Sequence, residues 1–255
     1  MLLVIDIGNT EIVFGLFENT ILRSHWRLSS TFKRTPDEYW ILFKQWCRDN
    51  QMDTRDIDGS VICSVVPILS SEIAEFNRRF LNLDPLFITS ETNTGLTILY
   101  DTPRTVGADR ICNAVAGLDA YGGPLIIVDF GTATTFDVIS AEGEYCGGVI
   151  ALGVQGISHE LHRLAAKLPR VDLAFPPEIV GNTTESSMQS GIMWGTVSLV
   201  EGLIDRIKEE MNWKKSKVIA TGGISEVFAE KCGKIDTVLP FLTLTGMQIL
   251  YDRNQ

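Results

Sequence analysis

Two short segments of the chain each combine an aspartate with a glycine turn in a pattern that suits phosphate binding. VIDIGNT places Asp6 at the end of an apolar run with Gly8 just after it, and VDFGTATT repeats this with Asp129 and Gly131. A glycine turn between two strands exposes successive backbone N–H groups and lets a phosphate approach closely. The aspartate at the strand end can reach a metal ion or its bound water. The two copies together predict a nucleotide site.

Other polar residues around these turns could complete the site. Asn9 and Thr10 can donate to phosphate oxygens in the first copy, and Thr132 is placed to do so in the second. Thr221-Gly222-Gly223 follows a third apolar run and precedes a predicted helix. In a two-domain ATPase the adenosine would lie at such a turn. A strand-to-helix turn with no ligand explains the third segment equally well.

The two aspartate turns require strands on either side of them, and the sequence predicts these strands twice. In each half the apolar runs indicate three antiparallel strands, followed by an alternation of helices and strands. The repeat predicts an α/β protein of two similar domains, residues 1–120 and 121–255, which face each other across a cleft. The predicted strands of the two meanders are 2–7, Glu11–Phe17 and Ile21–Leu28, then Pro124–Asp129, Thr134–Ile139 and Tyr145–Ile150.

Three further segments bear on the domain organisation. A helix is predicted over Pro36–Asp49, because Thr35 suits an N-cap and proline suits a first helical position. Residues 90–106 are polar and rich in turn formers, which predicts a loop. The last helix, Thr245–Asp252, is assigned to the second domain.

A long helix over about Glu185–Met211 contains three glycines, Gly191, Gly195 and Gly202. A glycine inside a helix costs about 1 kcal/mol relative to alanine. Small residues at roughly four-residue spacing also let a second helix approach closely. This helix is therefore the predicted interface of a dimer.

The composition narrows the class of protein. The 255 residues carry a formal net charge of −10, with no run of Lys or Arg that would indicate a nucleic-acid partner or an anionic membrane surface. No apolar stretch is long enough to span a membrane, and the apolar N-terminus is too short for a signal peptide. The five cysteines are odd in number and lack C-x-x-C spacing, which predicts reduced thiols in a cytoplasmic protein.

Four motifs in order point to a known family. DIGNT at 6–10, GADR at 107–110, DFGTATT at 129–135 and TESSMQSG at 184–191 together resemble type III pantothenate kinase over essentially the whole chain. The resemblance implies two ribonuclease-H-like domains, as in the actin-like ATPases, around a central cleft. It also implies transfer of the ATP γ-phosphate to pantothenate, which gives 4'-phosphopantothenate in the first step toward coenzyme A.

The resemblance also implies roles for individual residues. Asp109 is the proton acceptor and Asp129 holds a monovalent cation, K⁺ or NH₄⁺, in an enzyme that also needs Mg²⁺ and forms a homodimer. The implied ATP contacts are Asp6, Ile7, Gly8, Asn9, Thr10, Glu11, Ile12, Val13 and Thr132. The implied pantothenate contacts are Tyr100, Gly107, Ala108, Asp109, Arg110 and Thr184.

The chemistry of three of these residues agrees with the implied roles. The planar guanidinium of Arg110 suits a carboxylate or a migrating phosphoryl group. Tyr100 offers an apolar ring with a polar tip to a small amphiphilic ligand. Thr184 precedes the long helix and is predicted to be its N-cap.

The sequence departs from the family pattern at two places, and the effect of each departure is left open. Ala151-Leu152-Gly153 stands where the family commonly has Pro-Gly, so the shape of this turn is open. Glu11 lies beside the phosphate loop, where a carboxylate would weaken ATP binding unless it points away or holds the metal.

Two other functions remain open from the residues alone. The same fold could phosphorylate a sugar or acetate, although zinc-ligand cysteines and the longer insertions of sugar kinases are not evident. It could also serve as an ATP-binding regulator or chaperone-like module. Asp109 counts against a pure binder, which needs no base in an acceptor pocket.

Overall fold

The protein is described by a computed structural model for residues 1–89 and 91–255, and these residues form two compact units. Unit 1 contains Met1–Leu96, Tyr100–Asp119 and Leu242–Gln255. Unit 2 contains Thr97–Leu99 and Ala120–Phe241. The chain thus passes from unit 1 to unit 2 near the predicted boundary and returns to unit 1 for its last helix.

The strands alternate with helices along the chain. The strands are β1 Leu2–Ile7, β2 Glu11–Glu18, β3 Ile21–Ser29, β4 Gly59–Ser64, β5 Leu86–Phe87, β6 Thr97–Ile98, β7 Leu125–Phe130, β8 Ala133–Ile139, β9 Glu144–Leu152, β10 Lys217–Thr221 and β11 Thr237–Val238. The α-helices are α1 Pro36–Asp49, α2 Pro67–Phe76, α3 Ala108–Tyr121, α4 Val154–Leu164, α5 Thr184–Glu210, α6 Ser225–Ala229 and α7 Leu242–Arg253. A π-helical turn, Asn77–Leu81, extends α2.

The two sheets repeat one topology, which confirms the internal repeat. In unit 1 the order is β3-β2-β1-β4-β5, and in unit 2 the same order recurs as β9-β8-β7-β10-β11, with β6 added beside β9. In each sheet the first three strands are antiparallel, and the last two are parallel to the first. The aspartate turns therefore occupy equivalent hairpins, between β1 and β2 and between β7 and β8.

One face of the first sheet forms the core of unit 1. Ile5, Ile7 and Ile62 pack there against Phe43 of α1 and Phe76 of α2. Helix α1 begins as predicted, with a capping box in which Thr35 and Glu38 exchange side-chain and backbone hydrogen bonds. Burial of this apolar stripe holds α1 and α2 on one side of the sheet.

The other face of the first sheet packs against α3 and α7. A Cβ at Gly246 of α7 would lie 2.0 Å from the carbonyl oxygen of Cys112 in α3, so the two helices touch closely. A Cβ at Gly15 of β2 would lie 3.1 Å from Leu244 of α7. The last helix was assigned to the second domain from its position in the sequence, whereas these contacts place it in unit 1.

In unit 2 the long helix α5 covers the core face of the sheet. Val197 and Val200 pack there with Val128 and Phe136, and Phe130 stacks on Phe228 at 4.9 Å between ring centroids. The amphipathic pattern of the sequence predicts the bounds of α5 to within one residue. Within the part of the chain that the structure describes, no helix is both long and apolar enough to cross a membrane.

Two local predictions are wrong. Residues 90–106 were predicted as a loop, but Thr97–Ile98 form the short strand β6, which pairs in parallel with Glu144–Tyr145 of β9. Thr184 was predicted as the N-cap of α5, but Thr183 has that position and Thr184 is the first helical residue. Thr183 is the N-cap because its hydroxyl accepts a hydrogen bond from the Ser186 N–H at 3.1 Å, which closes a capping box.

Candidate active site

The first aspartate turn joins β1 to β2 at the carboxyl end of β1. The Gly8 N–H donates to the Glu11 carbonyl at 2.9 Å, which closes the turn. Ser30, just after β3, holds the turn from the side: its N–H donates to the Thr10 carbonyl at 2.9 Å and its hydroxyl to the Gly8 carbonyl at 2.7 Å. Asn9 and Thr10 are exposed at the tip. The turn is thus rigidly held while its outer edge faces solvent.

Glu11 follows this turn and has a basic neighbour on the next strand. Its carboxylate lies 3.7 Å from the Arg27 guanidinium, in an ion pair that is roughly half exposed. Arg27 lies opposite Val13 in the β2–β3 register, so the pair crosses diagonally between strands. Arg27 therefore compensates the charge of Glu11 within unit 1, which resolves how a carboxylate can lie beside the phosphate turn.

The GADR segment lies at the start of α3, and steric contact with Asp109 explains why its first residue is glycine. A Cβ at Gly107 would lie 2.4 Å from Oδ1 of Asp109, so the carboxylate folds back over the glycine. The same oxygen accepts the Arg110 N–H at 2.9 Å, and the Gly107 carbonyl accepts the Ile111 N–H at 3.1 Å. Asp109 is partly exposed, whereas Arg110 is buried. Residue 107 must therefore be glycine for Asp109 to keep this orientation.

Two buried thiols connect the Asp6 strand with the Asp109 helix. Cys63 of β4 lies opposite Asp6 in the parallel β1–β4 register. A hydrogen bond with the Cys112 thiol of α3, burial, and the charges of Asp6 and Asp109 raise the pKa of the Cys63 thiol well above its usual range. Asp6 is level with Cys63 in the sheet, and Asp109 lies one helical turn before Cys112 on α3. The first phosphate turn and the predicted base share one end of unit 1.

The second aspartate turn has the same construction in unit 2. The Gly131 N–H donates to the Ala133 carbonyl at 3.1 Å and closes the turn between β7 and β8. Gly153, just before α4, donates its N–H to the Thr132 carbonyl at 3.2 Å. A Cβ at Gly153 would lie 2.4 Å from that carbonyl oxygen. The departure at Ala151-Leu152-Gly153 therefore leaves the turn closely packed against the start of α4.

The third turn, after β10, lies directly beside Asp129. Thr221 is opposite Asp129 in the parallel β10–β7 register. Gly222 has a φ of +95°, which favours glycine. The position that its Cβ would occupy is 2.6 Å from both Oδ1 of Asp129 and the Phe130 carbonyl oxygen. Both oxygen atoms therefore pack closely against Gly222 and leave no room for a side chain at this position.

The remaining predicted contacts lie on separate elements. Tyr100 is a half-buried loop residue of unit 1, between β6 and the 3-10 turn Pro103–Thr105. Thr184 is exposed in the first turn of α5 in unit 2. Its hydroxyl takes no part in the cap, which Thr183 and Ser186 form between them.

Most of this chain matches one known protein family. The family model described as type III pantothenate kinase matches residues 2–206. The chain belongs to this family. The enzyme is therefore an ATP-dependent kinase that phosphorylates pantothenate in coenzyme A biosynthesis. The sugar or acetate kinase and the regulatory module that the sequence left open are not supported by this match.

Solved structures similar to this kinase confirm the actin-like ATPase fold. A conserved protein from Campylobacter jejuni, described as a Baf family transcriptional activator, is 19% identical with a TM-score of 0.61, over 99% of this chain and 98% of that chain. Component A of (R)-2-hydroxyglutaryl-CoA dehydratase from Acidaminococcus fermentans is 12% identical with a TM-score of 0.52, over 98% and 96%. The activator of 2-hydroxyisocaproyl-CoA dehydratase from Clostridium difficile, with bound ADPNP, is 12% identical with a TM-score of 0.52, over 98% and 92%.

Several residues that support the two aspartate turns were not predicted from the sequence. Ser30 and the pair Cys63 and Cys112 contact the turns or their neighbours only through strand pairing and packing. Gly153 was noted as a departure, but its contact with the second turn was not predicted. The turn Thr221-Gly222-Gly223 was predicted, because Thr-Gly-Gly after a strand indicates a tight turn, but the contact of Gly222 with Asp129 was not.

Proposed function

We propose that Asp6–Val13 bind the ATP phosphates and that Asp109 accepts the proton of the pantothenate hydroxymethyl group. The observation that supports this assignment is that Cys63, which is level with Asp6 in the sheet, contacts Cys112, one helical turn after Asp109 on α3. The phosphate turn and the acceptor base have to be neighbours, because the attacking oxygen and the γ-phosphorus must come within bonding distance. The carboxyl ends of parallel strands are also the usual ligand edge of such sheets.

In the proposed step the primary hydroxyl of pantothenate attacks the γ-phosphorus of ATP. A new P–O bond forms to the hydroxyl oxygen, the bond to the β,γ-bridging oxygen breaks, and ADP leaves with that electron pair. Asp109 takes the hydroxyl proton. Phosphoryl transfer passes through a loose transition state, so most of the catalysis comes from orientation and from donors to the phosphate oxygens. Gly107 contributes by letting the Asp109 carboxylate fold toward the start of α3.

The polar groups of pantothenate are proposed to contact four positions around the start of α3 and two residues outside it. Arg110 offers a guanidinium at the same helix start as Asp109, and it suits the pantothenate carboxylate or the migrating phosphoryl group. Tyr100 and Thr184 supply hydroxyl contacts, and Thr184 is suited to this role because capping does not use its hydroxyl. Gly107 and Ala108 contribute backbone groups at the helix start.

Asp129 is proposed to hold a monovalent cation, K⁺ or NH₄⁺, while Thr132 contacts ATP. The Asp129 carboxylate oxygen and the Phe130 carbonyl oxygen lie near each other beside Gly222, and hard cations prefer such oxygen donors. Among residues 1–89 and 91–255, no group of three or more His, Cys, Asp or Glu side chains could hold a metal ion. Asp6, at the end of β1, would reach a water bound to Mg²⁺ beside the ATP phosphates. Bound cations neutralise charge on the phosphates.

We also propose that the kinase is a cytoplasmic homodimer that packs through α5. A Cβ at Gly191, Gly195 or Gly202 would meet no described atom within 4 Å beyond the neighbouring residues and backbone of α5 itself, so these glycines leave open space on the helix surface. Leu199 on the same helix is exposed as well. A helix of a second subunit could approach closely along this surface, in agreement with the prediction from the sequence.

The direct test is a substrate panel on the purified protein. The protein is incubated with ATP, Mg²⁺ and K⁺ and with pantothenate, glucose or acetate, while ADP is followed by a coupled assay and the acceptor product by mass spectrometry. We expect formation of 4'-phosphopantothenate and ADP in equal amounts, with neither glucose nor acetate consumed. Absence of turnover with pantothenate at saturating ATP, Mg²⁺ and K⁺ would overturn the proposal. Size-exclusion chromatography with light scattering tests the dimer on the same sample.

A further inference from the structure

Val65 lies at the point where β4 leaves the sheet, directly beside the first phosphate turn. Its N–H donates to the Ile7 carbonyl at 3.1 Å, which extends the β1–β4 ladder by one step beyond the Ile7–Ser64 pair. The register therefore places Val65 next to Gly8. Because the ladder continues, Val65 is held by the same backbone bonding that holds the strand.

The side chain of Val65 emerges on the face that carries the chemistry. Asp6 and Cys63 are paired across β1 and β4, so their side chains share a face of the sheet. This is the face on which Cys63 meets Cys112 of α3. Side chains alternate along an extended chain, so Val65, two residues after Cys63, returns to the same face. It does so one step nearer to the carboxyl end of β1, beside the first phosphate turn.

Val65 is also unusually exposed for its position. Its exposed fraction is 38%, whereas Val61 and Ile62 of β4, the strand that it follows, are fully buried. An apolar side chain just after the carboxyl end of a strand, beside a phosphate turn, contributes no hydrogen bond to ATP. Its chemistry suits an apolar part of the acceptor.

Pantothenate has such a part next to its reacting group. The carbon that bears the phosphorylated hydroxyl is attached to a quaternary carbon with two methyl groups, so those methyls lie beside the transferred phosphoryl group and the base. We propose that Val65 forms the apolar wall that contacts the geminal methyl groups of pantothenate and thereby selects a branched acceptor. The inference rests on the proposed placement of ATP at Asp6–Val13 and of the base at Asp109.

The test compares two acceptors on two proteins. Wild type and Val65→Ala are assayed with pantothenate and with the analogue that lacks both geminal methyls. We expect Val65→Ala to lower kcat/KM for pantothenate by about 10-fold, the scale of a lost apolar contact in a specificity pocket. For the analogue the same substitution should change kcat/KM less than about 2-fold, because the contact is already missing. The KM for ATP should not change.

Two further variants keep the result interpretable. Val65→Thr keeps the shape but adds a hydroxyl, and it should lower kcat/KM for pantothenate while the protein stays folded by circular dichroism. Ile21→Ala shortens an exposed apolar residue, 56% exposed, in the β2–β3 hairpin at the opposite end of the same sheet, and should leave both acceptors unaffected. An equal loss for both acceptors, or no loss for pantothenate, would overturn the inference. A wild type inactive with pantothenate would instead overturn the proposed function.

Discussion

The amide of Gly153 donates a hydrogen bond to the carbonyl oxygen of Thr132 at 3.2 Å, which ties the start of α4 to the second phosphate turn. Contact here is so close that a Cβ at position 153 would lie 2.4 Å from the Thr132 oxygen and 2.5 Å from that of Gly131. Both atoms belong to the backbone, so neither can rotate away. Any side chain at position 153 must therefore displace the turn.

Gly153→Ala should accordingly weaken ATP binding through the displaced turn. We expect the KM for ATP to rise at least about 10-fold, a usual effect when a binding group moves by a fraction of an ångström. Steady-state kinetics with varied ATP at saturating pantothenate measures it. Gly156→Ala on the same helix is the control, because its Cβ would meet only the flexible side chain of Leu152. Equal KM values for the two variants would contradict the role of Gly153.

Asp109→Asn removes the proposed base while keeping nearly the same shape. We expect kcat to fall by about 10²–10⁴-fold, the usual contribution of a general base. Asp119→Asn is the matched control, since Asp119 is exposed near the end of the same helix and makes the same change in charge. Near-normal turnover by Asp109→Asn would show that another group accepts the proton.

The predictions that succeeded depended on short-range signals. Helix α1 follows from Thr35, Pro36 and Glu38, which lie within four residues of one another and form the capping box. The paired turns at Asp6 and Asp129 likewise combine a strand, an aspartate and a glycine within a few positions. These patterns predicted the repeated topology and the two hairpin turns because each turn is built from neighbouring residues.

What could not be predicted depends on contacts between distant parts of the chain. Helix α7 joins unit 1 because Gly15, Gly59 and Gly246 leave room for it, and Gly59 lies against Tyr251 across nearly two hundred positions. The strand β6 is two residues long and exists only because β9 offers it an edge. The serine that holds the first turn, Ser30, is recognisable only once the β2–β3 register is known.

Asp129→Ala should abolish stimulation by K⁺ if this carboxylate holds the monovalent cation. Activity is measured over a K⁺ titration at constant ionic strength, with choline as the replacement cation. We expect a flat response and a low kcat in place of a saturating curve, because a neutral side chain leaves only the Phe130 carbonyl beside Gly222. Glu142→Ala, an exposed acid in the β8–β9 turn, should keep the normal response. Unchanged K⁺ dependence in Asp129→Ala would place the cation elsewhere.

Arg27→Ala should expose the charge of Glu11 to the triphosphate. Surface ion pairs contribute about 0.2–1 kcal/mol, so we expect the KM for ATP to rise by a factor of about 2–5 at low salt and less at high salt. The double variant Glu11→Gln/Arg27→Ala should return the KM to near the wild-type value, since the uncompensated charge is gone. If the double variant is as impaired as Arg27→Ala, the effect of Arg27 does not act through Glu11.

The buried thiol of Cys47 should make the stability of unit 1 fall at alkaline pH. Burial in the α1 core, with a smaller effect of the Asp53 charge, raises the pKa of Cys47 to about 12 from an ordinary value of 9.0. Below pH 9 both native and unfolded thiols are protonated, and the contribution is fully present. Between pH 9 and 12 the unfolded thiol ionises while the native one does not, so the free energy of unfolding decreases as pH rises. The limiting slope is about 1.4 kcal/mol per pH unit.

Urea unfolding of wild type and Cys47→Ala at several pH values between about 7.5 and 10.5 measures this contribution. The variant lacks the thiol, so it should be less stable than wild type at neutral pH, because of the cavity, but should lose less stability as the pH rises. The other thiols and the tyrosines are common to both proteins and cancel in the difference. We therefore expect the gap between the two unfolding free energies to narrow above pH 9. A gap that stays constant up to pH 10.5 would show that Cys47 ionises with nearly the same pKa in the native and unfolded states.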